Sequence, residues 1–192
     1  MRGCGFTAAL CLAAVAASAC ARDRVVPVYD SAGAIRRLDY DTNRDGLIEM
    51  RTYLVDGRAA RLEADGNGDG VIDRWEYYGA DGSLTRIGTS TASDGREDTW
   101  VVRNGGQVRI DIATHRDGVA DRHEYHDNGV LVRAEQDTNG DGLIDQWQMY
   151  SGGHVSELRL DTSLRSGKPD RRLVYAADGS VQRAEAMDDA NQ

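Results

Sequence analysis

Asp65, Asn67, Asp69 and Asp73 hold oxygen-bearing side chains at the first, third, fifth and ninth places of one short stretch, with glycine at 66, 68 and 70. Hard oxygens at that spacing suit one kind of chemistry. A chain curled tightly about a point aims them at a common centre, where a hard divalent cation takes six to eight oxygens at about 2.3–2.6 Å. Gly70, in sixth place, permits the sharp bend that turns the carbonyl of Val71 inward. Glu76, in twelfth place, adds two oxygens if the chain leaves the loop as a helix. If it leaves as a strand beginning after Asp73, residues 73 and 76 face opposite ways and Asp73 closes the shell.

The stretch recurs. Asp41, Asn43, Asp45, the carbonyl of Leu47 and Glu49 form one further copy; Asp137, Asn139, Asp141, the carbonyl of Leu143 and Asp145 form another. Their twelfth places hold Thr52 and Gln148, so the array does not require an acid there. Degenerate copies surround Asp94–Asp98, Asp117–Asp121 and Gly167–Asp170. The loop glycines 46, 70, 95, 118, 142 and 167 stand 24, 25, 23, 24 and 25 residues apart, a period that marks a repeat array. By carboxylate count, up to four with Glu76 against three in each other intact copy, the Asp65 loop should bind best. The copy with Ala113 and His115 at ligand places, the copy with Ser90 and Ala92, and the last copy, with Arg165 and an inserted residue, should bind weakly or not at all.

The three intact copies resemble the EF-hand calcium loop, and Asp65–Glu76 matches it residue for residue. The resemblance implies Ca2+ as the bound ion, held in the weak range of about 10⁻⁴–10⁻³ M of exposed extracellular modules. The short repeat is also similar to dockerin repeats, which pair such a loop with a helix and would make the chain a helical protein-docking module.

Two helices and a loop fit poorly into about 24 residues. Trp75, Tyr77, Trp100, Val101, Val102, Tyr125, Trp147 and Tyr150 follow the loops, and these residue types favour strands. Asp56-Gly57, Gly105-Gly106, Asn128-Gly129, Gly152-Gly153 and Asp178-Gly179 arrive soon after as hairpin turns. The spacing predicts an all-β chain: seven hairpins in an antiparallel meander over residues 28–186, with glycine turns along one edge and six calcium loops along the other. These hairpins are similar to tyrosine- and glycine-rich repeats of bacterial surface proteins. Arg51 and Tyr53, Trp75 and Tyr77, Trp100 and Val102, His123 and Tyr125, and Trp147 and Met149 should share a packed face. Glu76, Glu124, Arg86 and Arg133 are expected on a solvated one. Residues 187–192 read as a tail.

Residues 1–19 read as an export signal: Arg2, then an apolar run from Phe6 to Ala19. Ala17-Ser18-Ala19-Cys20 resembles a bacterial lipobox, although Leu is usual where Ala17 stands; Ala17-x-Ala19 also suits an ordinary signal peptidase. The resemblance implies lipidation at Cys20, a tether over residues 20–27, a membrane partner through the lipid, and the outer membrane as destination. Cys4, Cys11 and Cys20 are the chain's three cysteines, so the segment after the signal holds no disulfide.

The remaining composition narrows function by exclusion. With 32 acidic against 23 basic residues the formal charge is −9, which disfavours a nucleic-acid partner. One Phe and 40% hydrophobic residues, part of them in the leader, leave little for a central core. His115, His123, His126 and His154 form no metal spacing, no serine stands in a nucleophile elbow, and no phosphate-cradling glycine loop follows a buried strand. The expectation is a non-enzymatic, calcium-stabilised structural or binding module of the envelope, with a surface protein or a glycan as partner.

Overall fold

The computed structural model describes residues 25–104 and 106–187. It contains fourteen strands: β1 (Val25–Tyr29), β2 (Ile35–Tyr40), β3 (Met50–Val55), β4 (Arg58–Ala64), β5 (Arg74–Tyr78), β6 (Leu84–Thr89), β7 (Thr99–Asn104), β8 (Gln107–Ile112), β9 (Arg122–Asp127), β10 (Val130–Gln136), β11 (Gln146–Ser151), β12 (His154–Leu160), β13 (Arg171–Tyr175) and β14 (Val181–Ala186). They form one antiparallel sheet in strict sequence order, seven hairpins joined by six loops. No helix occurs among the described residues, so the helical docking-module alternative does not describe this fold. The first strand starts at Val25, so residues 25–27, assigned to the tether, pair instead with Tyr40, Asp39 and Leu38. The segment read as an export signal and Cys20 lie outside the described residues, as do residues 188–192.

Turn chemistry explains the hairpins. Asn128-Gly129 and Gly152-Gly153 hold positive φ at both central places (48° and 79°, 60° and 85°), the backbone that two-residue turns need to match strand twist. The longer turns use an aspartate instead. Asp30, Asp81 and Asp178 each accept the N–H two residues on, from Ala32, Ser83 and Ser180, at 2.9 Å.

Two register rows define one face. The first runs Asp39, Arg51, Glu63, Trp75, Gly88, Trp100, Asp111, His123, Glu135, Trp147, Arg159, Arg172, Glu185 across β2 to β14. The second, two residues nearer the turns, alternates Arg37, Arg61, Arg86, Arg109 and Arg133 with Tyr53, Tyr77, Val102 and Tyr125. Strands β2, β4, β8 and β10 therefore carry Arg-x-acid on one face, and the pairs close within the strand: Arg37–Asp39 at 2.6 Å, Arg61–Glu63 at 2.8 Å, Arg109–Asp111 at 2.9 Å and Arg133–Glu135 at 2.6 Å.

This corrects the face expected for Arg86 and Arg133. They stand opposite Tyr77 and Tyr125, with guanidinium carbons 4.1 and 3.9 Å from the ring centroids, while Glu76 and Glu124 occupy the other face opposite Ile87 and Ala134. Parity counted along one strand does not carry through a turn with a bulge, and both hairpins shift register, at Tyr77/Tyr78 and at Leu131/Arg133. Arginine then gains by laying its planar head on the ring, about 0.5–1 kcal/mol for each such contact at an exposed site.

A single layer has no sealed interior. Among the described residues only Trp75, Ala113 and Ala134 are buried hydrophobics, whereas nine aspartates are buried, seven of them in the loops. The aromatic column is half-buried, apart from Trp75.

The third loop departs from its neighbours instructively. Gly88 sits where β2, β4, β8, β10 and β14 carry the acid, and Glu97 sits where the intact loops carry Ile48, Ile72 and Ile144. The Glu97 carboxylate fills the space above Gly88: a Cβ at Gly88 would collide with it. It accepts from Trp100 Nε1 at 2.6 Å, from the Tyr77 hydroxyl, and from Arg86 at 3.5 Å. The acid has moved from strand to loop and kept its place in the row. Glu97→Ala should cost about 1–3 kcal/mol by stranding those donors. Gly88→Ala should destabilise the wild-type chain more than it destabilises the Glu97→Ala background; a denaturant double-mutant cycle reads the difference, and strict additivity would contradict the displacement.

Candidate metal loops

We number the loops L1 (41–49), L2 (65–73), L3 (90–98), L4 (113–121), L5 (137–145) and L6 (161–170). All six share a backbone plan centred on the closing acid: Glu49, Asp73, Asp98, Asp121, Asp145 or Asp170. Its N–H closes the loop on the last residue of the preceding strand, as from Asp73 to Ala64 and from Asp145 to Gln136, both at 3.0 Å. Its carboxylate caps the loop's second residue: Thr42 N at 2.7 Å on Glu49, Gly66 N at 3.1 Å on Asp73, and Thr138 N and Oγ1 at 3.0 and 2.9 Å on Asp145. Its carbonyl accepts from the residue that opens the next loop: Asp65 onto Glu49 at 2.7 Å, Ser90 onto Asp73 at 2.9 Å, Ala113 onto Asp98 and Asp137 onto Asp121 at 2.8 Å, and Asp161 onto Asp145 at 2.9 Å. One residue thus shuts its own loop and holds the next, and the loops form a continuous chain along the sheet edge.

L1, L2 and L5 add a second layer. The opening aspartate is buried and accepts two converging N–H groups. Asp65 takes Gly68 N and Gly70 N at 2.7 Å each, Asp137 takes Gly140 N and Gly142 N at 2.7 Å each, and Asp41 takes Arg44 N at 2.5 Å and Gly46 N at 3.0 Å. The third residue's amide oxygen accepts from the fifth residue's N–H: Asn43 from Asp45 at 2.8 Å, Asn67 from Asp69 and Asn139 from Asp141 at 2.9 Å. The fifth residue's carboxylate in turn accepts from the seventh's N–H: Leu47 at 2.7 Å, Val71 at 2.8 Å and Leu143 at 2.9 Å. Every loop places the first, third and fifth side chains on one small curl, the condition for shared coordination.

The carboxylates do not converge equally. Among the described residues, Asp41, Asp45 and Glu49 form the group of three whose oxygens lie within 4.8 Å of one another. Asp65, Asp69 and Asp73, whose loop ranks first by count only with Glu76 as a fourth carboxylate, do not close to that distance. Glu49 is one methylene longer than Asp73 and Asp145, and that length lets it cap Thr42 while remaining near Asp45. Glu76 is not drawn toward L2. It stands in β5, where Arg74 holds its Oε1 at 2.7 Å and the Tyr78 hydroxyl holds its Oε2. The Tyr78 bond, followed by Arg74, keeps the Glu76 carboxyl below its ordinary range; the same bond pushes the Tyr78 phenol up to about 12.

The degenerate loops keep the backbone plan and break the ligand set. In L4 Ala113 is buried where an aspartate opens the intact loops, and Asp121 is capped by Thr114 Oγ1 at 2.7 Å and His115 Nδ1 at 2.6 Å. In L3 Ser90 Oγ meets Asp94 at 3.1 Å. In L6 the inserted residue lengthens the ring: Thr162 is capped by Asp170 eight residues on, against seven elsewhere. Asp161 spends its oxygens on Ser163 Oγ at 2.5 Å, Ser166 Oγ at 2.7 Å and Gly167 N at 2.9 Å. The serine hydroxyls hold its carboxyl far below the usual range. The closing acid survives in all six loops, including those without a ligand set. That regularity was present in the sequence at 49, 73, 98, 121, 145 and 170, and it signals a structural cap rather than a ligand alone.

No protein-family model matches the chain, and no curated protein does. Solved structures that match include S. aureus TarM in complex with Fondaparinux, alpha-GlcNAc-glycerol and UDP, at 10% identity and a TM-score of 0.37, and a second TarM crystal structure at 11% and 0.40. Each match covers 63% of this chain and spans 20% of TarM's length.

Two outcomes separate cap from ligand. Asp145→Ala strands the Thr138 donors and should destabilise by about 2 kcal/mol even in chelator, whereas exposed Asp141→Ala should cost less than about 0.5 kcal/mol there. Equal losses in urea melts would contradict the division. The second outcome concerns pH. A carboxylate whose folded pKa is depressed contributes stability that is complete above its unfolded pKa, about 3.9, and is lost as pH falls toward the folded value. The gap in melting temperature between wild type and Asp161→Asn should therefore be constant from pH 7 to about 5 and shrink below about 4.

Proposed function

We propose that the protein is a calcium-binding, non-enzymatic module of the bacterial cell envelope, with Ca2+ in L1, L2 and L5 as part of its folding energy. The observation that carries the reading is the repeated centre. Three loops hold a buried aspartate flanked by an amide oxygen and a second carboxylate on one curl, and the three others keep the same backbone but break that set at two places each: Ser90 and Ala92 in L3, Ala113 and His115 in L4, Ser163 and Arg165 in L6. A hydrogen-bonding plan alone would not demand that distinction. The ligand sets are Asp41, Asn43, Asp45 and Glu49; Asp65, Asn67, Asp69 and Asp73; and Asp137, Asn139, Asp141 and Asp145, completed by the carbonyls of Leu47, Val71 and Leu143. Asp73 closes L2 without Glu76.

Electrostatics supports a stabilising role. Successive loops lie two strands apart, about 9.5 Å, close to the Debye length of about 8 Å at physiological salt. L1 and L2 are adjacent and both strongly acidic, so each opposes the other until a cation intervenes. Export and lipidation at Cys20 complete the proposal. The half-exposed arginine–tyrosine face is the surface it offers to a protein or glycan partner.

Isothermal titration with calcium should give three equivalents, falling to two in Asp69→Ala and in Asp141→Ala. With Kd about 10⁻⁴ M, each occupied site adds about 2 kcal/mol at ~5 mM calcium, so chelation should lower the melting temperature of a β-type circular dichroism spectrum. A chain that takes up no ion and melts identically in chelator would overturn the proposal.

A further inference from the structure

Among the described residues the open meander leaves two strand edges unpaired, and they differ. On β1 the N–H of Glu49 donates to the Tyr40 carbonyl at 3.1 Å, so Tyr40 addresses β3. Its partner Val25, and by alternation Pro27, then turn their backbone groups outward. Pro27 has no N–H to offer. A proline at that place blunts an edge.

The other edge carries no such guard. The Met187 N–H donates to the Asp170 carbonyl at 2.9 Å, on the β13 side. Backbone groups alternate along a strand, so those of Ala184 and Ala186 point away from β13, and among the described residues nothing pairs with them. Arg183 and Glu185 flank Ala184 on the arginine–tyrosine face, with side chains 63% and 38% exposed. The strand is its own electrostatic complement. Laid antiparallel against itself with Ala184 opposite Ala184, it sets Arg183 of each copy opposite Glu185 of the other. The hydrogen-bonding parity agrees. Ala184 with Ala184 becomes a bonded pair using the outward groups, and Arg183 with Glu185 becomes the closer, non-bonded pair whose side chains meet; the register shift beyond Arg183 ends the regular alternation at Gln182.

We infer that the outer edge of β14 pairs antiparallel with β14 of a second copy of this chain, about a two-fold axis through Ala184. The two sheets continue into one, with Pro27 at both free ends. A head-to-tail junction of β14 on β1 would lack a donor at Pro27 and would propagate without closing; the two-fold junction closes after two copies. The inference concerns the sheet's end and is independent of metal in the loops.

A contact of this length belongs among small, weak interfaces, so the full chain is tested at about 200 μM in saturating calcium. Sedimentation velocity should give twice the monomer mass. Ala184→Pro removes a bonded donor from the outward side and should give a monomer with the wild-type melting temperature. Arg183→Glu and Glu185→Arg each set like charges opposite and should be monomeric alone, yet associate one-to-one when mixed. A wild-type monomer at that concentration overturns the inference. So does a dimer that survives Ala184→Pro, or a mixture of the two charge variants that stays monomeric.

Discussion

The structure depends on one residue per repeat, the acid that closes each loop. A sheet one layer thick cannot seal its strands between two apolar surfaces, and this one buries three hydrophobic side chains among its described residues. What holds successive hairpins in register at the loop edge is the closing acid's three bonds: N–H to its own strand, carboxylate to the loop's second residue, carbonyl to the next loop. Each is a hydrogen bond of modest net worth, about 0.5–1.5 kcal/mol, but closure and cap recur in all six loops and the carbonyl links all five junctions between them. Buried polarity does here what buried carbon does in a globular core.

The sheet's face shows the same economy. Arg-x-acid on β2, β4, β8 and β10 and aromatic residues on strands between them form rows in which the Arg37, Arg61 and Arg133 guanidinium groups each meet a carboxylate along the strand and a ring across it. Exposed ion pairs count for little one at a time; in rows they also keep each side chain over its neighbour and fix register. Glu97 shows how strong that requirement is. Where the strand supplies Gly88 in place of an acid, a loop residue brings the carboxylate to the same place, and Trp100, Tyr77 and Arg86 all use it. At the other end of the array the order reverses to Glu157-x-Arg159, and Arg172 spans Glu157 and Glu185 at 2.5 and 3.3 Å.

Much of this was legible in residues 28–186. The glycine period fixed the number of hairpins, and Asn128-Gly129 and its counterparts located the turns, because positive φ leaves a compositional mark. The three loop centres were equally plain. Faces were harder to read. Arg86 and Arg133 look solvent-facing when counted along the chain, since a bulge is invisible without its partner strand. Glu76 looked like a ligand by spacing, yet its surroundings, Arg74 and Tyr78, lie two residues either side along its own strand. A count of carboxylates takes no account of reach, which brings Glu49 near Asp45. The structural duty of the closing acid was visible only once the loops lacking ligands were seen to keep it.

The central claim is that the loop edge is a hydrogen-bonded chain that calcium tightens. Amide hydrogen exchange with and without calcium reads it directly, residue by residue. The account predicts slow exchange at Asp65, Asp73, Asp137 and Asp145 that slows further when calcium is added, little response at Ala113 and Asp121 of L4, and none at the opposite turns. Fast exchange at the linking amides, or protection that rises equally at both edges, would contradict it.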